Sequence, residues 1–240
     1  MKCAIMQPIF LPWAGYFRLI AQVDRFVFLD DVQLARQSWQ TRNRVLVKAQ
    51  EHWVMAPVLH VALEQTIVQT CLMEKTPWRR KLGRLLRMEY ARHLFFQDLL
   101  ALIHFIEEGK EQSLAELNIS IINFCLGRFA IATPVFRASE MSLASIQRTE
   151  RLIEICGHLQ CETYLSPPGS KEYLLGDGFT LQENIRLGFA NYRPPPYMQK
   201  GANNFVSHLS VVDAVANLGW DGASVYVRAP WPNQEPELQH

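Results

Sequence analysis

The sequence has little that would carry it into a membrane, onto nucleic acid or around a metal. No run approaches the roughly 18–20 continuous apolar residues needed to span a bilayer. The 24 Lys and Arg almost balance the 23 Asp and Glu, for a formal charge of +1. That balance argues against a dedicated nucleic-acid binder and against strong attraction to acidic lipid. The five cysteines are odd in number and form no CxxC pair. Cys156 and Cys161, with His158 between them, lack a second ligand pair, so reduced core thiols are expected and no metal site is. The opening run to Met6 is too short for a signal peptide and soon meets Gln7 and Pro8, which reads as a cytoplasmic protein. There is no internal repeat, and no long glycine-rich phosphate loop ending in Lys-Ser/Thr.

What is present is core-forming sequence: 49% of residues are hydrophobic and 20% charged, enough for a sizeable folded domain. Cys3–Met6 is an apolar run that stops at Gln7-Pro8, as a buried strand entering a turn would. Pro8 and Pro12 forbid regular helix in the loop that follows, while Tyr16–Val23 suits a short helix. Arg25–Leu29 reads as a second buried strand ending at Asp30-Asp31. Strand, Pro/Gly loop, helix, strand and acidic pair make a parallel βαβ unit. Ligands of open parallel sheets bind beyond the carboxyl ends of the strands, and both Gln7 and Asp30-Asp31 fall there.

Further strands are expected at Val45–Val47, Trp53–Val58, Ile67–Leu72, Thr133–Ala138, Leu181–Phe189 and Phe205–Leu209. Pro77–His93, Asp98–Glu108 and Ser113–Phe129 carry apolar residues at helical spacing. Pro77 suits a first turn, Gly109 a helix end, and Ser113 with Glu116 a capping box. Gln147–Leu159 is an amphipathic helix, and Ser210–Leu218 a last one ending at Asn217 and Gly219. The expected fold is α/β, a parallel-rich open sheet with flanking helices. It forms a single domain over residues 1–229, with a helical insertion near 75–130 and a flexible tail over 230–240.

The spacing Met6-Gln7-Pro8-x-x-x-Pro12-x-x-Gly15-Tyr16-Phe17 resembles the opening signature of the WbqC-like protein family. So do Asp24-x-Phe26-Val27-x-x-Asp30-Asp31-Val32-Gln33 and Trp39-x-x-Arg42-Asn43. Later matches are Trp53 and Pro57, Tyr164-Leu165-Ser166-x-x-Gly169-x-x-x-Tyr173-Leu174, and Leu209-Ser210-x-x-Asp213-x-x-x-Asn217-x-Gly219. Ile9 and Trp13 depart from the aromatic pattern of the loop. The resemblance implies a bacterial protein of O-antigen, other glycan or specialised-metabolite biosynthesis, described as glycyl or acyl transfer to an amino sugar.

Candidate residues follow from both lines. Asp30 or Asp31 would position or deprotonate an amine, or cap a loop and pair with Arg42. Gln7 offers donor and acceptor together, Arg42 a fork for phosphate or carboxylate, and Asn43 a neighbouring contact. Gln33 belongs to the same signature. Trp13, Tyr16 and Trp39 would stack on a sugar or base, or else serve as core. Ser166-Pro167-Pro168-Gly169-Ser170 presents anion-facing N–H groups only from Gly169 and Ser170, with Lys171 adding charge. His60 and His208 are candidate general bases. Arg80, Arg84 and Arg87 share one helical stripe, either a solvated face or a dock for an acidic carrier protein or a phosphate-bearing donor. The expected reaction moves an aminoacyl or acyl group, from a thioester or other activated donor and with no cofactor, to an amine of a nucleotide-linked sugar or related metabolite. Two rivals remain. One is nucleotidyl transfer, although the Pro12–Tyr16 loop lacks both histidines of an HxGH motif; the other is a non-catalytic assembly protein.

Overall fold

Short apolar runs with side chains on both faces build the centre of the molecule. A computed structural model of the chain describes residues 1–59, 64–144, 148–179, 185–190 and 193–231, and the backbone of 237–239. Five parallel strands, β1 (Lys2–Met6), β2 (Arg25–Phe28), β5 (Val135–Arg137), β6 (Thr163–Ser166) and β7 (Arg186–Phe189), form a sheet in the order β5-β2-β1-β6-β7. A sixth strand, β8 (Glu237–Gln239), joins the edge antiparallel to β7. The remaining strands, β3 (Arg42–Val47) and β4 (Gln50–Met55), form a separate antiparallel hairpin. The last residues, expected to be a flexible tail, thus include β8 and a Trp231 that is 3% exposed.

Successive strand residues go to opposite cores, as the period of two requires. Ala4, Phe26, Phe28 and Leu165 face one hydrophobic cluster; Cys3, Ile5, Val27, Tyr164, Leu187 and Phe189 face the other. The first cluster also takes α1 (Ala14–Ala21), α2 (Trp78–Tyr90), α3 (Phe96–Glu108), α4 (Leu114–Arg128) and α7 (Val211–Arg228). The second takes α5 (Arg148–His158) and α6 (Lys171–Gly176). The helices of the expected insertion therefore bury their apolar stripes (Leu82 and Leu86, Leu99 and Ile103, Leu117 and Ile121) in the same core as α1. The capping box forms: Ser113 Oγ accepts from Glu116 N at 3.2 Å, and Ser113 N donates back to Glu116 at 3.4 Å.

Two expected strands are absent. Ile67–Leu72 is held by turns and isolated bridges, and Phe205–Leu209 is a turn in which His208 has φ +60°. In both, polar tertiary contacts overrule an apolar run. The last helix does break at Gly219, but it restarts at once: Gly219 has φ +72° and ψ 175°, and Trp220 N donates to Asp98 Oδ2 at 3.0 Å. A Cβ at Gly219 would lie 2.7 Å from Phe95 and 2.8 Å from Asp98, so only glycine fits between α7 and α3.

Strand order fixes where a ligand can enter. From β1 the chain passes through α1 to β2 on one side, while β6 lies on the other side of β1 and leads through α6 to β7. Connections leave β1 and β6 in opposite directions. Their carboxyl ends therefore open a crevice, the position where open α/β sheets bind ligands. Among the described residues no helix is long and apolar enough to cross a membrane.

Candidate functional site

Two adjoining cavities occupy that crevice. One, of about 590 Å³, is lined by Met6 at the end of β1 and Gln7 after it, Leu29 after β2, and Pro167 and Ser170 after β6. Trp13, Trp39, Gln40, Arg44 and His208 complete it from the loops and hairpin. The other, of about 750 Å³, shares Gln7, Leu29, Leu152 and Tyr173 with the first and adds Asp31, Gln33, Arg148 and Arg151. Gln7 stands where the two lobes meet.

The orientation of the Gln7 amide follows from its neighbours. The backbone N–H of Ala35 can only donate, and it donates to Gln40 Oε1 at 2.9 Å. Gln40 Nε2 must then donate to Gln7 Oε1, at 2.7 Å. This leaves the Gln7 NH₂ facing the cavities as a donor. Tyr16, buried between Phe17 and Phe26, donates to the Gln7 carbonyl oxygen at 3.0 Å. It anchors this strand end from the core and does not stack on a ligand. Trp13 lies flat over Gly15, where a Cβ would come within 2.1 Å of the indole, so the Gly15 of the signature is a seat for the Trp13 wall.

The adjacent aspartates part company at the end of β2. Asp30 is 0% exposed and accepts from Arg137 Nε at 2.9 Å, Ser139 N at 3.0 Å and Ser139 Oγ at 2.7 Å. It clamps the end of β2 to the last residue of β5 and the segment after it, and the expected catalytic role does not fit a carboxylate so fully engaged. Asp31 turns into the second lobe, where Oδ2 pairs with Arg151. Burial pushes its carboxyl up against the opposing pull of Arg151.

Asn43 is likewise internal. Its Nδ2 donates to Phe10 O at 3.1 Å and Leu11 O at 2.8 Å, holding the Pro8–Pro12 loop where Leu11 has φ +45°. Arg42 lies over Trp53, 4.3 Å from the ring centre. Its neighbour two positions on, Arg44, reaches the first cavity instead, pairs with Glu51, and sits 5.4 Å from the ring centre of Trp39. Trp39 is 41% exposed and packs on Trp53 at the cavity rim. Gln33 is exposed on the wall of the second lobe.

The expected anion cradle takes another form. Ser170 N already donates to Pro167 O at 3.2 Å, Gly169 is exposed with open space around it, and Lys171 Nζ lies 5.6 Å from the Phe189 ring centre. Ser166 is fully buried, its hydroxyl against that of Ser170, so this loop lines the cavity through Pro167 and Ser170. His60 lies outside the described residues. Of the basic stripe on α2, Arg80 and Arg84 are exposed, whereas Arg87 forms a two-point pair with Glu107.

His208 is the titratable base the structure brings to the first cavity. Its ring packs on Trp13 at 4.3 Å, Nδ1 is 2.9 Å from Ser207 Oγ, and burial with the nearby Arg44 charge lowers its pKa, favouring neutral imidazole. The turn carrying it is pinned on both sides. Arg44 O accepts from Ser210 N at 2.8 Å, and Gln199 bonds both the N–H and the C=O of Val206 at 2.7 and 2.9 Å. Gln199 Nε2 and Tyr197 Oη in turn donate to Asp213, at 2.9 and 2.8 Å, and Tyr90 Oη donates to its other oxygen at 3.4 Å.

Burial raises the Asp213 carboxyl to about 6 from an ordinary 3.8. A carboxyl raised on folding contributes stability in its protonated form. That contribution is complete below the unfolded pKa and disappears as pH climbs through the folded one. Asp213→Asn is expected to remove a stability loss of about 2 kcal/mol between pH 4 and pH 7, read from urea denaturation of the two proteins at each pH. Parallel pH profiles would show that Asp213 does not titrate this way.

His208, Gln40, Arg44, Arg148 and Arg151 are among the polar cavity residues that the linear signature leaves out; Arg148 and Arg151 sit three apart on α5, a spacing that puts both on one helix face. Among the described residues no cluster of three or more His, Cys, Asp or Glu is arranged to hold a metal ion. The chain is similar to a Mycobacterium tuberculosis (strain ATCC 25618 / H37Rv) protein described as Uncharacterized protein Rv1507c. The two are 29% identical over 222 residues, covering 91% of this chain and 94% of the relative. No solved structure matches. The model of the WbqC-like protein family matches residues 7–225, from the strand-end glutamine through most of α7, and the chain belongs to that family.

Proposed function

We propose that the chain is a cytoplasmic transferase that moves an acyl or aminoacyl group from an activated donor, such as a thioester, to an amine of a nucleotide-linked sugar or related metabolite. One observation carries the reading: the His208 imidazole, its pKa lowered by burial, and the Gln7 amide donor line one cavity at the strand-order switch point. Acyl transfer to an amine can use both. The nitrogen attacks the acyl carbon, and its proton goes to His208. The carbonyl oxygen, as it gains negative charge, accepts from Gln7 Nε2. The bond to the leaving group then breaks, and His208 returns the proton to it. The two lobes provide room for a donor and an acceptor, and exposed Arg80 and Arg84 on α2 suit an acidic carrier of the donor.

The test is to mix the protein with panels of acyl thioesters and nucleotide-linked amino sugars and to follow amide products by mass spectrometry. The expected result is an amide that requires enzyme, donor and acceptor together. Release of pyrophosphate from a nucleoside triphosphate with no amide formed would replace this reading by nucleotidyl transfer.

A further inference from the structure

We infer that the second lobe is a phosphoryl-binding site that takes a diphosphate-sized anion at Arg148. This deepens the proposed function by naming what anchors the ligand there, and it rests on that reading only for the identity of the crevice. The case comes from the hydrogen-bonding capacity the lobe leaves open. Asp31 is the acidic side chain among its described lining residues: Oδ2 pairs with Arg151, and Oδ1 is buried away from the lobe's open space, with no hydrogen-bond partner among the described residues. Gln7 presents only N–H, because Gln40 occupies its oxygen. Arg148 lines the lobe, is exposed, and has no ion-pair partner among the described residues. Asp177 and Glu150 line an adjoining cavity of about 460 Å³ that Arg148 also borders, and Asp177 accepts from Thr149 Oγ1 at 3.0 Å.

Two guanidinium groups against one carboxylate leave the lining of the lobe one positive charge, and Gln7 and Arg148 present donors to its open space. The group that complements them is anionic and rich in acceptors. A planar guanidinium fork matches two phosphoryl oxygens at once. The volume of about 750 Å³ is within the range of ordinary ligand sites and exceeds what one phosphate fills.

The test is calorimetric titration of the full chain with inorganic pyrophosphate at low ionic strength. Saturable binding is expected, at least about tenfold weaker in Arg148→Glu and several-fold weaker in Arg148→Lys, which keeps the charge but loses the fork. His208→Gln, in the other lobe, is expected to bind like the wild type. Nucleoside diphosphates that bind more tightly than pyrophosphate would place the anion on a nucleotide; equal affinity would mean free diphosphate, and both support a phosphoryl site. Absence of saturable binding at millimolar pyrophosphate, or an Arg148→Glu affinity equal to wild type, overturns the proposal. Because no turnover is measured, a failed acyl-transfer assay leaves this result readable.

Discussion

Asp30→Ala is expected to lose about 2–4 kcal/mol of folding stability, the cost of taking a buried carboxylate from three donors, one of them a partly exposed guanidinium. The carboxylate is fully buried and holds three donors, two of them from Ser139 and one from Arg137. In the alanine variant the Ser139 N–H and hydroxyl lose their buried acceptor, and Arg137, which is 25% exposed, keeps among the described residues only Glu140 at 3.7 Å. Strand β5 is only three residues long and, among the described residues, pairs with β2 alone, so this clamp is a large share of what keeps the sheet edge in place. Urea denaturation reads the loss directly. A double-mutant cycle with Arg137→Ala should return a coupling of at least about 1 kcal/mol, as residues in direct contact do. An Asp30→Ala protein that unfolds at the wild-type midpoint would show that the clamp is idle and return Asp30 to the list of candidate catalytic groups.

That outcome bears on how far the chain can be read as a string. The βαβ opening and the location of a site at strand ends are legible because they depend on local patterns: apolar runs of four or five residues, a proline-broken loop, acids at a strand terminus. The split between Asp30 and Asp31 is not legible. Alternation along a strand sends them apart, but which one meets a guanidinium in the core depends on Arg137, 107 residues later. Asn43 illustrates the same limit, since a buried amide that satisfies two loop carbonyls and a ligand-reading amide have identical local sequence. Arg44, rather than Arg42, reaches the cavity because the hairpin β3–β4 lies outside the main sheet. Its placement against the crevice is a tertiary fact. Arg148 and Arg151 sit on an amphipathic helix whose polar face reads as solvated until the sheet order shows it facing the end of β2. His208 is legible as a candidate base, but the turn that presents it is concealed by its neighbours. Phe205, Val206 and Leu209 look like strand, yet the Asp213 network holds the segment as a turn.

His208→Gln is expected to lower kcat for amide formation by about 10²–10⁴, the span of a general base, while KM stays within a few-fold. Glutamine keeps a polar side chain of similar length but cannot take a proton at neutral pH. The backbone tolerates it, since Gln37 and Gln160 already adopt φ +50° and +55° elsewhere in this chain. Loss of folding is therefore not the expected cause, and equal thermal midpoints would verify this. The pH profile supplies a second readout. Burial and Arg44 lower the His208 pKa from its ordinary 6.5, so the imidazole is unprotonated at neutral pH. The rate of the wild type should fall on the acid side with an apparent pKa below 6.5, because a protonated imidazole cannot accept the amine proton. The variant's residual rate should lack that limb. A kcat within threefold of wild type, or an acid limb that survives in the variant, would move the base to another group. Asp31, whose carboxyl is raised by burial in the adjoining lobe, is then the residue the geometry offers, and Asp31→Asn becomes the deciding substitution.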